Sequence, residues 1–210
     1  MSANPIDLSV YLVIGPQDCG SRSPLDIVGE AVQGGASVVQ LRDKSGSTRQ
    51  QIELAHALLN LTRPAGVPLI INDRLDVALA VDADGLHVGQ EDMEAAQARA
   101  LLGPKKLLGL SVSSQEQLDE APMGMLDYLG IGACYATGSK DNAVALGLDG
   151  FAKLTEQSTL PVVGIGGISI ERARDVIAKG GQGVAVISAI CAAPSPLQAT
   201  RAMAEKVRKL

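Results

Sequence analysis

Eight short apolar runs rich in β-branched residues recur along the chain, and a stretch with helical period follows each of them. This alternation limits the possible folds more than any other feature. The runs are Leu8–Gly15, Ser37–Asp43, Pro68–Asp73, Gly85–Gly89, Leu107–Val112, Leu126–Ala133, Pro161–Ile168 and Gly183–Ile190. Between them lie amphipathic segments: Leu25–Val32, Gln51–Leu61, Glu94–Leu102, Gln115–Ala121, Gly150–Gln157 and Glu171–Ala178, with Leu197–Lys209 at the end. The third crossover, Arg74–Ala83, has room for about two helical turns. Strands alternating with helices imply a parallel sheet with right-handed crossovers. A count of eight favours closure into an α/β, (β/α)8 TIM barrel over an open doubly wound sheet. The 210 residues then form one compact domain, 1–210.

Local punctuation agrees with these divisions. Ser23-Pro24 offers a cap and an N1 proline to the first helix. Ser113-x-x-Glu116 has capping-box spacing ahead of the fifth. Gly34-Gly35 and Gly180-Gly181 each stand where a helix must stop before a strand. They also form a weak internal repeat of one βα unit.

Composition narrows the function. One Phe, three Tyr and no Trp leave the core to aliphatic side chains, and a net charge of −5 gives no field for polyanions. Few aromatics also mean few platforms for bases, so nucleic-acid binding is not expected. Cys19, Cys134 and Cys191 are widely spread, which argues against a disulfide framework or a zinc site. The first residues lack the pattern of a signal peptide, and no apolar run reaches the ~20 residues of a membrane span. A cytoplasmic protein is expected.

In such a barrel the active site lies at the carboxyl ends of the strands. The second run ends Gln40-Leu41-Arg42-Asp43-Lys44, where alternation puts Gln40 and Arg42 on the inner face if Val39 and Leu41 pack outward. An Arg42–Asp43 ion pair is the plain alternative. The third ends Asn72-Asp73 and the fourth continues to Asp92, so two carboxylates arrive at neighbouring strand ends and could share a Mg2+. Capping of the following helices would explain them equally well. The sixth leads into Thr137-Gly138-Ser139-Lys140, a loop of hydroxyl, backbone and cationic donors suited to a phosphate, or simply a solvated turn. Gly166-Gly167 and Ile187-Ser188 follow the seventh and eighth runs, the usual phosphate-binding quarter. His56 and His87 receive no role, and no Ser–His–Asp order supports nucleophilic catalysis. The polar loop Gly15–Arg22 is a candidate lid.

Taken in order, Gln40-x-Arg42-Asp43-Lys44, Asn72-Asp73, His87-Val88-Gly89-Gln90-Glu91-Asp92, Gly109-x-Ser111, Thr137-Gly138-Ser139-Lys140, Ile165-Gly166-Gly167-Ile168 and Val186-Ile187-Ser188 resemble the motifs of thiamine-phosphate synthases. The resemblance implies condensation of 4-amino-5-hydroxymethyl-2-methylpyrimidine diphosphate with 4-methyl-5-(2-phosphoethyl)thiazole, with Mg2+ as cofactor. By motif, Gln40, Arg42, Lys44, Asn72, Ser111 and Lys140 would hold the pyrimidine diphosphate, and Asp73 and Asp92 the metal. Thr137, Ser139, Gly167, Ile187 and Ser188 would hold the thiazole phosphate, with Leu41, Asp43 and Gly138 counted in the same binding motifs. Arg42, Lys44, Lys140 and Ser111 would carry the catalytic load by stabilising the leaving diphosphate. Two departures stand out: Ala133-Cys134-Tyr135-Ala136 replaces an expected Gly-Pro-x-Phe-Pro, and Ser139 replaces threonine. Competing readings are a thiazole tautomerase-like paralogue and a non-catalytic phosphate-ligand sensor. Oligomeric state is not readable.

Overall fold

A computed structural model describes residues 6–136 and 146–208. Eight parallel strands close in sequence order into a barrel: β1 (Val10–Ile14), β2 (Val38–Leu41), β3 (Leu69–Asn72), β4 (Gly85–Val88), β5 (Leu107–Val112), β6 (Tyr128–Gly132), β7 (Val162–Ile165) and β8 (Gly183–Val186). The outer ring is α1 (Pro24–Gly34), α2 (Thr48–Thr62), α3 (Leu75–Ala80), α4 (Ala95–Leu102), α5 (Gln115–Glu120), α6 (Gly147–Gln157), α7 (Ala173–Ala178), a short α8 (Ser188–Cys191) and α9 (Pro196–Val207).

Alternation sorts each strand's side chains into two cores. Val39, Leu41, Ile71, Leu86 and Val88 belong to the layer between barrel and helices. Tyr11, Val13, Val38, Ile70, Tyr128, Val163 and Ala185 fill the barrel itself, above Leu8. Glycines make this interior roomy enough for two tyrosines. A Cβ on Gly109 would come within 2.2 Å of the Tyr128 ring.

The helix starts follow side-chain chemistry. Ser23 accepts from the Leu25 amide with Pro24 behind it, as expected. Ser47 and Gln50 form a reciprocal capping box on α2. The expected box at Ser113 is corrected by one residue: Ser114 caps α5 by accepting from Gln117 N, while Ser113 bonds the Gln117 side chain. Gly35 (φ 103°) and Gly180 (φ 96°) take the left-handed conformation that ends α1 and α7.

Two strand boundaries also need correction. The run Gly183–Ile190 is strand only to Val186, because Ser188–Cys191 coils into α8 and buries Ile190 and Cys191. The run Pro161–Ile168 is strand only over Val162–Ile165, since Gly166 (φ 98°) and Gly167 (φ 63°) turn the chain.

Candidate active site

The carboxyl end of β2 is fixed from both sides. Arg42 N donates to Ile14 O, and the Gln17 amide donates to Arg42 O at 2.8 Å. Gln17 lies in a 3-10 turn, Pro16–Asp18, so the candidate lid loop is here tied to the barrel rim. Gln40 points into the barrel and is buried, and Arg42 follows on the same side, half-buried. No ion pair joins Arg42 to Asp43 among the described residues. The Asp43 carboxylate instead accepts from Ser45 N and Gly46 N, folding its own loop toward α2. Leu41 faces the helix layer, away from the barrel mouth. Lys44 is exposed beside the opening.

Asp73, directly after β3, has φ 60°, a backbone state open to few residues other than Gly, Asn and Asp. That turn brings its carboxyl into hydrogen-bonding contact with Asp92. Burial and the neighbouring Asp92 carboxyl push the Asp73 group up to about 6, against the pull of the Lys44 and Arg42 charges. Neither aspartate caps a helix: no side-chain cap bond is made at the start of α3 or α4. The Asp92 carboxylate accepts from Gly89 N at 2.7 Å, which aims it back at Asp73. Two oxygen ligands held together against their mutual repulsion suit a hard cation bound partly by a phosphorylated substrate. No cluster of three or more His, Cys, Asp or Glu occurs among the described residues. Asn72 stands half-buried on β3, opposite His87 in the β3–β4 register.

Inside the barrel a continuous line of polar contacts crosses from β2 to β5. The Gln40 amide donates to the Tyr11 hydroxyl at 2.7 Å, and the Tyr11 and Tyr128 oxygens are 2.7 Å apart. Tyr128 reaches His87 Nδ1 at 3.0 Å, and His87 Nε2 lies 2.8 Å from the Ser111 hydroxyl. Burial raises both phenols above their ordinary range, so they remain protonated. Tyr11, Tyr128 and His87 are the polar site residues that sequence reasoning missed. Gln40 and Ser111, at the two ends of the line, are residues to which the sequence motifs point. On the rim above, the Gln90 amide donates to Ser111 O at 2.6 Å.

Of the remaining expected residues, Gly167 follows β7, and Ile187 and Ser188 follow β8. Gly167 packs so closely on the loop after β6 that a Cβ would lie 2.6 Å from Ala136 O. Tyr135 N donates to Gly166 O, and the Arg172 guanidinium sits 4.5 Å over the Tyr135 ring. Parallel pairing of β7 with β8 runs to Ile165 opposite Ala185, so Gly167 and the Ile187-Ser188 start of α8 follow neighbouring strands at the same end of the barrel. Thr137, Gly138, Ser139 and Lys140 lie outside the described residues. The three thiols are buried, and burial pushes Cys134 and Cys191 up to about 12, which removes them as nucleophiles at neutral pH. No helix among the described residues is long and apolar enough to cross a membrane.

A closed barrel with cations and paired carboxylates at one mouth can be set against known proteins. The family model described as thiamine monophosphate synthase matches residues 10–190. A thiamine-phosphate synthase of Azorhizobium caulinodans is 49% identical over 201 residues, covering 95% of each chain. That of Xanthobacter autotrophicus is 48% identical over 200 residues, again 95% of each. Among solved structures, a thiamine phosphate pyrophosphorylase from Pyrococcus furiosus superposes with a TM-score of 0.88 at 38% identity, covering 96% of both chains. A 3-hexulose-6-phosphate synthase, with a TM-score of 0.67 and 14% identity, shares the fold. Matching across nearly the whole length, in sequence as in structure, the chain belongs to the thiamine monophosphate synthase family.

Proposed function

We propose that this family member joins 4-amino-5-hydroxymethyl-2-methylpyrimidine diphosphate to 4-methyl-5-(2-phosphoethyl)thiazole, giving thiamine monophosphate and diphosphate. The observation that carries this reading is the meeting of Arg42 and Lys44 with the Asp73–Asp92 pair, close enough for both cations to act on the Asp73 carboxyl. Such a mixed group suits a highly charged leaving group bound together with a metal ion.

The chemistry requires one bond to break and one to form. The C–O bond between the pyrimidinylmethyl carbon and the diphosphate opens, and the ring's amino group stabilises the resulting cation. The thiazole nitrogen then supplies its lone pair to that carbon, forming the C–N bond without a general base. Negative charge accumulates on the departing diphosphate, where Arg42, Lys44 and, by motif, Lys140 would neutralise it. Gln40, Asn72 and Ser111 would orient the pyrimidine portion, with the backbone around Leu41, Asp43 and Gly138 completing the walls. Thr137, Ser139, Gly167, Ile187 and Ser188 would hold the thiazole phosphate, so that the two reacting atoms meet in line.

Asp73 and Asp92 would hold Mg2+, for which hard carboxylate oxygens and an open coordination sphere are appropriate. When bound, the ion supplies further charge neutralisation at the diphosphate. A tautomerase-like paralogue or a non-catalytic phosphate-ligand sensor has no use for this carboxylate pair, and the relatives at 48–49% identity are named as synthases. The test is diphosphate release from the purified protein. Release that requires both substrates and Mg2+, with thiamine monophosphate formed in equal amount, is expected. Binding of the thiazole phosphate without any release would overturn the proposal.

A further inference from the structure

The polar line through the barrel has a direction. Tyr11 is 1% exposed and Tyr128 is fully buried, so each hydroxyl must find its partners inside. The Tyr11 oxygen accepts from the Gln40 amide, which leaves its own hydrogen for Tyr128, 2.7 Å away. With Tyr128 accepting there, its own hydrogen is available to the Nδ1 of a neutral His87, 3.0 Å away. An imidazole that accepts at Nδ1 carries its proton on Nε2 and donates it to the Ser111 oxygen. The Ser111 hydrogen then has no inward use and points to the barrel mouth. If the Gln40 amide were turned over, every link would reverse and Ser111 would face the mouth as an acceptor.

The surrounding packing is built around this line. A Cβ on Gly109 would lie 2.2 Å from Tyr128 Cζ and 2.5 Å from His87 Nδ1, directly between the two partners. One on Gly130 would crowd His87 Cε1 at 3.2 Å. β5 thus carries glycine where a side chain would part the contact, and β6 carries one where a side chain would press on the His87 ring. The tilted ring contacts of Tyr128 with Tyr11 and with His87, at 5.8 and 5.5 Å between centroids, hold the three rings in place.

We propose that Gln40, Tyr11, Tyr128 and His87 form a one-way hydrogen-bond relay that presents the Ser111 hydroxyl as a donor to the pyrimidine diphosphate. Tyr11 and Tyr128 are positioning residues in it, without substrate contact of their own. The assignment of that ligand rests on the function proposed above. The direction of the relay does not, because it is a property of the free protein.

Two measurements separate the ideas. Nitrogen-15 NMR of the free protein, with His56→Gln to simplify assignment, should find His87 as the Nε2–H tautomer. In Tyr11→Phe, which keeps the ring but removes the hydroxyl remote from His87, both tautomers should be populated. The same variant should raise KM for the pyrimidine diphosphate about fivefold or more while leaving that for the thiazole phosphate within about twofold. An Nδ1–H tautomer in the unmodified protein overturns the relay, as does an unchanged tautomer or an unchanged KM ratio in Tyr11→Phe. Should Tyr11→Phe fail to fold, Tyr128→Phe tests the His87 end of the relay, and an unchanged tautomer there overturns it as well. If the unmodified protein turns over neither substrate, the substrate reading fails and the tautomer of the free protein still decides the relay.

Discussion

Asp73 combines two costs, a left-handed backbone and a carboxyl pressed against Asp92. Its folded-state pKa of about 6 lies above the ordinary 3.8, so the folded protein binds that proton more tightly than the unfolded chain. The penalty is therefore fully present above about pH 6 and is gone below 3.8. Asparagine tolerates the same φ and replaces the repulsive oxygen with a donor to Asp92. Asp73→Asn should raise the melting temperature of the metal-free protein by roughly 2–4 °C at pH 8 and by nothing at pH 3.5. Added Mg2+ should stabilise the parent and not the variant, narrowing or reversing their order. Calorimetry at both pH values, with and without the ion, checks this, and a variant that responds equally to Mg2+ removes Asp73 from the metal site. At this scale the sequence was partly legible. Polar residues between apolar neighbours, as in Val39-Gln40-Leu41, face the barrel interior. The same rule applied to Leu86-His87-Val88 turns His87 inward as well. What it does not supply is the partner: Tyr11 and Tyr128 are 117 residues apart, and only closure of the barrel brings their hydroxyls together.

Elements whose sequence period matches their burial were read correctly, and those governed by tertiary packing were not. Val-Ile-Ser-Ala-Ile at the end of β8 has strand composition, yet α8 forms there because coiling sends Ile190 and Cys191 into the helix layer. The start of α6 was placed at Gly150, three residues late, since Gly147 at φ 74° does not advertise a helix. Phe151 on that helix is fully buried against β7 and the turn into β8, with ring atoms 3.3 Å from the position a Cβ would take on Gly164 and 3.1 Å from that on Gly181. It is the single Phe of the chain, and those two glycines make its pocket. Phe151→Ala should cost about 3–5 kcal/mol in urea unfolding, because rigid strands cannot collapse into the space. A loss below about 1 kcal/mol would show that α6 repacks freely and is not what fixes the β6–β8 side of the site.

A (β/α)8 barrel is continuous as a sheet, but its chain must still be joined end to start, and here the seam lies between α9 and α1. Eight repeated units were visible in the sequence; the seam was not, because it depends on surfaces separated by nearly the whole chain. Glu30 on α1 bridges it by accepting from Leu197 N, at 3.2 Å, while also pairing with Arg22. That backbone bond, more than the arginine, holds the Glu30 carboxyl below its ordinary range. Gly34 lets the helices meet: a Cβ there would stand 2.7 Å from both Leu197 O and Thr200 Cβ. Thr200 is itself fully buried and its hydroxyl donates to Pro196 O, so it has no room to withdraw. In an exposed helix, Gly→Ala is ordinarily stabilising. At this position the added methyl must push α9 off α1, and Gly34→Ala should instead destabilise the protein by about 1–3 kcal/mol. Pairing it with Thr200→Gly, which removes both the Cβ and the methyl group facing Gly34, should return part of the loss in a double-mutant cycle. Strict additivity of the two changes would mean that the barrel is not closed through this contact.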